Sequence, residues 1–154
     1  MEGTAMAFII WKDSYNLGIT TVDQQHQNLA FIINDVYDAI GKSHEASSLK
    51  WAFKELFEYV DYHFLTEEKF LFKVSEQEYG RHKKAHDKFR ERLRQMWSEF
   101  QMGFLARDLE LMQFLKRWFI THTQGIDRDY IPLYFAQPQM LDNVTEESAF
   151  AGSF

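Results

Sequence analysis

The sequence predicts an all-α protein: an up-down-up-down antiparallel four-helix bundle with an N-terminal lead-in and a C-terminal extension. Apolar residues recur at steps of three and four in four separate segments, which is the period of a helix that buries one face. The links between these segments are short and polar, so consecutive helices should be antiparallel neighbours. Both prolines, Pro132 and Pro138, follow the last apolar stripe, so they interrupt no bundle helix.

Composition favours one domain with a dense core, because 17% of the 154 residues are aromatic. The chain has no cysteine, which excludes disulfides and thiolate metal sites. Its net charge of −6 disfavours nucleic acid as a partner. We find neither a signal-peptide pattern nor a run of ~20 apolar residues, and so expect a cytoplasmic protein without membrane insertion. The predicted domain spans residues 1–136, including the lead-in, and the extension 137–154 is expected to be partly disordered.

The first helix is predicted to begin at Thr20, which forms a capping-box pattern with Asp23, and to stop at Gly41. Its core-facing stripe contains one histidine among apolar residues: Val22, His26, Leu29, Ile33, Val36 and Ile40.

The second helix is predicted from near Ala46 to about Phe72, and the third from about Gly80 to Met102, with residues 73–79 as their connection. Each carries a pair of polar residues four positions apart inside its apolar stripe. These pairs are His63 with Glu67 and His82 with His86.

Residues four apart on a helix are neighbours on one face, so each pair can close on a single ion. Burying such groups is costly unless they are paired or bound to a metal. The two pairs therefore indicate a metal centre. Two further acids near Glu67, Asp61 and Glu68, are alternative ligands, but both lie off the stripe and are expected to be solvated. His44 lies in a polar turn and is expected at the surface.

The fourth helix has a stripe from Met112 to Ile126 that includes His122. Asp127 follows His122 by five residues, which on a regular helix is about 140° around the axis. We therefore expect local unwinding at Gly125, because glycine tolerates unusual backbone conformations.

Antiparallel packing brings the candidate ligands from all four helices into one layer. Any one of the histidines alone is explained as a hydrogen-bonded core residue, but seven ligands exceed the four of a zinc site. Two octahedral metals that share both carboxylates and a third bridging oxygen would use all seven and leave one position open. Imidazole and carboxylate suit redox-active iron. The candidate ligands are His26, His63, Glu67, His82, His86, His122 and Asp127.

These residues, in this order and spacing, resemble the hemerythrin family, of the bacteriohemerythrin type, from about Trp11 to Tyr130. The matching elements are Trp11, Gly18 and Ile19, Asp23 and His26, His63 and Phe64, Glu67 and Glu68, His82 and His86, and Trp118 with His122, Asp127 and Tyr130. The resemblance implies a non-haem di-iron centre with an oxo or hydroxo bridge. One iron would be held by His82, His86 and His122 and the other by His26 and His63, with Glu67 and Asp127 bridging.

The resemblance also implies a function: reversible binding of dioxygen, without enzymatic turnover, for oxygen transport, storage or delivery to an oxygen-consuming enzyme. The implied oxygen pocket contains Phe64, Trp118, Phe119 and Thr123. Many family members carry leucine at the position of Phe119 and isoleucine at that of Thr123, so a hydroxyl here could bond to bound oxygen or admit water. The alternatives are an oxygen or redox sensor and a di-iron enzyme that acts as an oxidase or peroxidase or on nitric oxide.

Overall fold

A computed structural model describes residues 7–42, 46–103 and 108–151 of the chain. Its four long helices pack antiparallel, which confirms the predicted bundle. They are α1 (Thr20–Lys42), α2 (Ala46–Val74), α3 (Glu76–Gln101) and α4 (Asp108–Gln124). His44 lies outside the described residues.

Two hydrophobic clusters fill the bundle, one at each side of the candidate ligand layer. In α1, Leu29 belongs to the larger cluster and Val22 to the smaller one, so His26 lies between them. In α2, Phe64 belongs to the larger cluster and Phe70 to the smaller one, so Glu67 lies between them. The ligand layer is therefore enclosed by apolar side chains along the bundle axis.

The junction of α2 and α3 differs from the predicted one. Ser75 alone separates the two helices, and α3 begins at Glu76, so residues 73–79 are not a connection and Gly80 lies inside a helix. The backbone of Ser75 is extended, and its hydroxyl accepts a hydrogen bond from the Glu78 backbone N–H at 3.3 Å. Ser75 and Glu78 have the spacing of a capping box, a signal that the apolar stripe alone does not reveal.

Asp23 fastens the turn before α1. Its carboxylate accepts hydrogen bonds from the backbone N–H groups of Leu17 at 2.7 Å and Gly18 at 3.1 Å. Gly18 has a positive φ of 83°, a conformation that glycine adopts without strain. The acidic residue of the predicted capping box thus reaches back beyond Thr20 to the turn.

After α4 the chain continues as a 3-10 helix (Ile126–Tyr130), α5 (Ile131–Ala136) and α6 (Gln139–Ala151). The sequence did not predict α6, which packs against α2 and buries Leu141 and Val144. Two buried positions are too few to make a visible stripe. The division of the chain after residue 136 stays a prediction. Among the described residues, no helix combines the length and the apolar character needed to cross a membrane.

Replacing Gly80 with alanine should stabilise the protein. Gly80 is exposed within α3, and a Cβ there would meet nothing within 4 Å. Alanine is favoured over glycine inside a helix by about 0.5–1 kcal/mol, so the free energy of unfolding measured in urea should rise by that amount. Gly103→Ala is the matched control: it is equally open but has a φ of +86°, so it should destabilise. A loss of stability in Gly80→Ala would contradict this account of α3.

Candidate metal centre

Asp127 reaches the bundle interior because the backbone changes at Gly125. Here α4 has ended and the 3-10 helix begins, with Gly125 at φ −109° and ψ −84°. This is the local unwinding that the sequence predicted. A Cβ at position 125 would lie 2.5 Å from the carbonyl oxygen of Thr121, so only glycine fits without a backbone shift. Asp127 is fully buried.

The structure brings all seven predicted ligands into one buried layer. α1 contributes one of them, α2 and α3 two each, α4 one and the 3-10 helix one. None is more than 2% exposed: His26, His63, Glu67, His82, His86, His122 and Asp127.

The two oxygens of Glu67 face different histidines. Oε1 lies 3.5 Å from Nε2 of His63 and 4.0 Å from Nε2 of His26. Oε2 lies 3.2 Å from Nε2 of His86 and 3.9 Å from Nε2 of His122. The carboxylate therefore stands between two groups of imidazoles.

The two oxygens of Asp127 also face different histidines. Oδ2 lies 3.0 Å from Nε2 of His26, whereas Oδ1 lies 3.2 Å from Nε2 of His82 and 3.1 Å from Nε2 of His122. Each carboxylate thus turns one oxygen toward His26, which Glu67 shares with His63, and the other toward two members of a second group of histidines. This second group consists of His82, His86 and His122.

Ligand atoms converge on two points rather than one. Two sets have ligand atoms within 4.8 Å of one another: His26, His63, Glu67 and Asp127, and then Glu67, His82, His122 and Asp127. His86 adjoins the second set, because its Nε2 lies 3.0 Å from Nε2 of His122.

Several of these atoms are buried without a hydrogen bond of acceptable geometry to any described residue. They are Nδ1 and Nε2 of His26, Nε2 of His63, Oε2 of Glu67 and Oδ2 of Asp127. Buried polar atoms are nearly always hydrogen-bonded. All of these exceptions except Nδ1 of His26 lie where the side chains of the cluster meet, as metal-binding atoms do. The donor set, imidazole nitrogens with carboxylate oxygens, fits iron.

The electrostatics of the cluster favour the metal-binding protonation states of Glu67, Asp127 and His63, but not that of His122. Burial raises the pKa of Glu67 and Asp127, but the surrounding imidazoles outweigh it and hold the pKa of both carboxyls below their usual range. Burial lowers the pKa of His63 to about 4. His122 differs: burial opposes its charged form, yet Asp127 and Glu67 raise its pKa to about 10. Ionised carboxylates and neutral imidazoles are the ligand forms, so a metal must displace any proton from His122.

Further polar groups orient the ligands from behind. Nδ1 of His63 lies 2.8 Å from Oε1 of Gln25, and Nδ1 of His82 lies 3.2 Å from the carbonyl of Glu78. The hydroxyl of Tyr130 donates to Oε1 of Glu67 at 2.7 Å. Such partners fix the rotamer and the tautomer of a metal ligand. Sequence reasoning missed Gln25 and Glu78, although Gln25 directly precedes His26.

Glu68 is buried, so the expectation that it is solvated was wrong. Its Oε1 lies 2.8 Å from Nδ1 of His86 and accepts from Arg90 at 3.0 Å. The sequence did contain a signal for this burial: Glu68 follows Phe64 by four residues, which places both on one helix face. Asp61 is exposed, as expected, and pairs with Arg90.

Two of the four predicted pocket residues contact the ligand layer through their rings. Phe64 stacks on His86 with centroids 3.7 Å apart, and Trp118 stacks on His122 at 4.9 Å. Phe119 and Thr123 are both fully buried. The hydroxyl of Thr123 donates to the carbonyl of Phe119 at 2.7 Å, so its proton is directed to the backbone. The assignment of these four residues to an oxygen pocket stays a prediction.

Comparison with known proteins gives a consistent result. The model of the Hemerythrin HHE cation binding domain matches residues 17–134. The chain is 35% identical over 127 residues to a bacteriohemerythrin of Pseudomonas aeruginosa (strain LESB58), covering 82% of this chain and 81% of that protein. It is 30% identical over 125 residues to a bacteriohemerythrin of Stenotrophomonas maltophilia (strain R551-3), covering 81% and 80%. The fold is similar to the crystal structure of a leucine-to-tyrosine mutant of hemerythrin, with a TM-score of 0.74 at 22% identity over 83% of this chain and 98% of that one. The buried His, Glu and Asp cluster is thus a metal-binding cluster.

Replacing Gly125 with alanine should weaken metal binding. The new Cβ would clash with the Thr121 carbonyl, and the backbone shift that relieves this contact would displace Asp127 from the cluster. We expect at least a tenfold loss of iron affinity, by analogy with the loss of a ligand-orienting contact, measured as bound iron after anaerobic equilibration. Gly80→Ala serves as control and should bind iron like the wild type. Full iron content in Gly125→Ala would show that the turn does not position Asp127.

Proposed function

Because the chain belongs to the hemerythrin family, we propose that it binds dioxygen reversibly at a non-haem di-iron centre, for oxygen transport, storage or delivery. The observation that carries this proposal is the division of both carboxylates between two groups of histidines. A single metal needs no such division, whereas two neighbouring metals need shared anions to screen their mutual repulsion. A cytoplasmic location and an oxygen-consuming enzyme as recipient stay predictions.

In this proposal, Glu67 and Asp127 would hold the two irons jointly, together with an oxo or hydroxo bridge. His26 and His63 are the terminal ligands of one iron, on the side of Glu67 Oε1 and Asp127 Oδ2. The second iron is held on the side of the opposite oxygens by the remaining three imidazoles: His82, His86 and His122. The histidine pair would give its iron one protein ligand fewer, and we propose that dioxygen binds on that side.

The balance of ligands supports reversible binding over oxidation of a substrate. When bound, the iron pair supplies the electrons for reversible reduction of dioxygen. Five neutral imidazoles against two carboxylates stabilise highly oxidised iron less than a carboxylate-rich site does, because fewer anions offset its charge. The protein's part is to exclude water, which the burial of all seven ligands achieves. We therefore propose a binding protein and not an enzyme.

The apolar side chains around the ligands support a small, uncharged guest. Phe64 and Trp118 stack on His86 and His122, and the ring of Phe64 also lies 6.0 Å from that of His63, on the side of the histidine pair. Phe119 is buried in the same larger hydrophobic cluster. Dioxygen enters apolar surroundings readily, whereas water and anions lose hydration there. We propose that Phe64, Trp118, Phe119 and Thr123 form the oxygen pocket, with Thr123 keeping its proton on the Phe119 carbonyl.

Optical spectroscopy on reconstituted protein tests the proposed function. We expect anaerobically reconstituted protein to hold two irons per chain, to gain a visible absorption band on exposure to oxygen, and to lose that band under argon. Repeated cycles should regenerate it without net oxygen consumption. Bleaching to a stable oxidised spectrum in a single cycle would contradict reversible binding, and continuous oxygen uptake with a reductant would favour an enzyme.

The bridging role of Glu67 is tested by Glu67→Ala. Removing a shared carboxylate leaves two cations facing each other without a screening anion, so we expect loss of most bound iron and of the oxygen-dependent band. Glu58→Ala, an exposed acid of the same helix, is the control and should retain two irons per chain. Iron measured at two per chain in Glu67→Ala would disprove the assignment of Glu67 as a bridge.

A further inference from the structure

Arg90 lies at the boundary between the metal centre and solvent. It belongs to α3, and its side chain is only 13% exposed. Its Nε donates to Asp61 at 2.9 Å, and its Nη1 donates both to Asp87 and to Glu68 at 3.0 Å. Asp61 and Asp87 are more than half exposed, whereas Glu68 is buried. The guanidinium thus joins two solvated acids to a buried one.

Glu68 extends this network to the ligand layer. Its Oε1 is shared between Nη1 of Arg90 and Nδ1 of His86, at 3.0 and 2.8 Å. The opposite nitrogen of the same ring, Nε2, faces Glu67 and His122. His86 therefore has one nitrogen in the ligand cluster and the other on a carboxylate whose charge Arg90 balances.

Arg90 is also linked to His86 through the ring of Phe64. Its guanidinium carbon lies 4.9 Å from the ring centroid of Phe64, within the range of a cation–π interaction. Phe64 in turn stacks on His86: their rings are parallel to within 2°, and the ring centroids lie 3.7 Å apart. Arg90 therefore touches both side chains that hold the His86 ring in place.

We propose that Arg90 is a positioning residue that acts through Glu68 to set the orientation and electron-donating strength of His86. The inference rests on the proposed function, since it takes His86 as a ligand of the iron that has three histidines. A carboxylate behind a ligating imidazole raises the basicity of the ring. The guanidinium of Arg90 donates a hydrogen bond to the same oxygen of Glu68. Its positive charge therefore weakens the increase in the basicity of His86.

The directions of change follow from the charges. Without Arg90, Glu68 is a stronger acceptor for the Nδ1 proton, His86 becomes a better donor, and oxidised iron is stabilised, so the reduction potential falls. Without the Glu68 charge, His86 becomes a poorer donor and the potential rises. For each of the two substitutions we expect about a tenfold change in the equilibrium between reduced and oxidised iron. For a one-electron couple this corresponds to about 59 mV.

Reduction potentials of the iron-loaded variants test this inference. The set is Arg90→Gln, Glu68→Gln and the double variant, titrated with redox mediators under anaerobic conditions. We expect a lower potential in Arg90→Gln, a higher one in Glu68→Gln, and little further effect of removing Arg90 once Glu68 is replaced. Arg92→Gln is the matched control, because Arg92 lies on the same helix and pairs with Glu110, and its potential should equal that of the wild type.

A merely structural role would give a different pattern. If Arg90→Gln and Glu68→Gln shift the potential in the same direction, or if their effects add in the double variant, Arg90 does not act through Glu68. Retention of most of the wild-type potential in Arg90→Lys, which keeps the charge, would support the proposed charge balance. A fall as large as in Arg90→Gln would overturn it.

The same variants separate this inference from the proposed function. A wild-type protein that holds two irons but binds no oxygen reversibly would disprove the function, while the order of the potentials would still decide the role of Arg90. A second readout needs no iron redox change: the Nδ1 proton resonance of His86 in the zinc-loaded protein. It should move downfield in Arg90→Gln and upfield in Glu68→Gln, and an unchanged resonance in both would overturn the proposal.

Discussion

The structure depends on one constraint: two carboxylates and five imidazoles are buried together inside a helical bundle. Groups of this kind cost free energy when removed from water unless they are paired or bound to metal. Here Glu67 and Asp127 are each surrounded by imidazoles, and the layer is closed on both sides by hydrophobic clusters. The apolar clusters hold the helices together, and in doing so they hold the polar groups at distances that suit metal ions.

The asymmetry of this layer provides its chemistry. Each carboxylate has one oxygen near His26 or the pair of His26 and His63, and the other near members of the group of three, so the two sides of the cluster differ in their number of histidines. In the proposed di-iron centre, this difference would leave one metal with fewer protein ligands and able to accept an external molecule. The rings of Phe64 and Trp118 stack on His86 and His122, and the ring of Phe64 also lies 6.0 Å from that of His63. The number of histidines on each side and these apolar neighbours are the grounds for proposing a small uncharged guest.

A second layer of polar contacts makes the first layer rigid. Gln25 and Glu68 bind the outer nitrogens of His63 and His86, and Tyr130 donates to Glu67. The contact through Glu68 continues outward to charged groups in solvent, by way of Arg90. On the other side of α3's ligand pair, Nδ1 of His82 lies 3.8 Å from Oε2 of Glu78, whose Oε1 lies 3.6 Å from Arg81. The ligand layer is therefore linked to charged surface groups through both histidines of α3.

Local periodicity was enough to predict the four helices of the bundle, apart from the start of α3, and the ligand candidates, because residues four apart share a helix face whatever the rest of the chain does. The same reasoning located Gly125 as the point where α4 must unwind. Burial of Glu68 and the single-residue junction at Ser75 escaped it, and so did the packing of α6. Each depends on another segment or on a cap: Glu68 is buried because α3 brings His86 and Arg90 against it, and α6 forms where α2 offers an apolar surface. The sequence by itself determined which residues share a face; only tertiary packing decided which carboxylate oxygen meets which histidine, since that choice depends on distances between helices far apart along the chain.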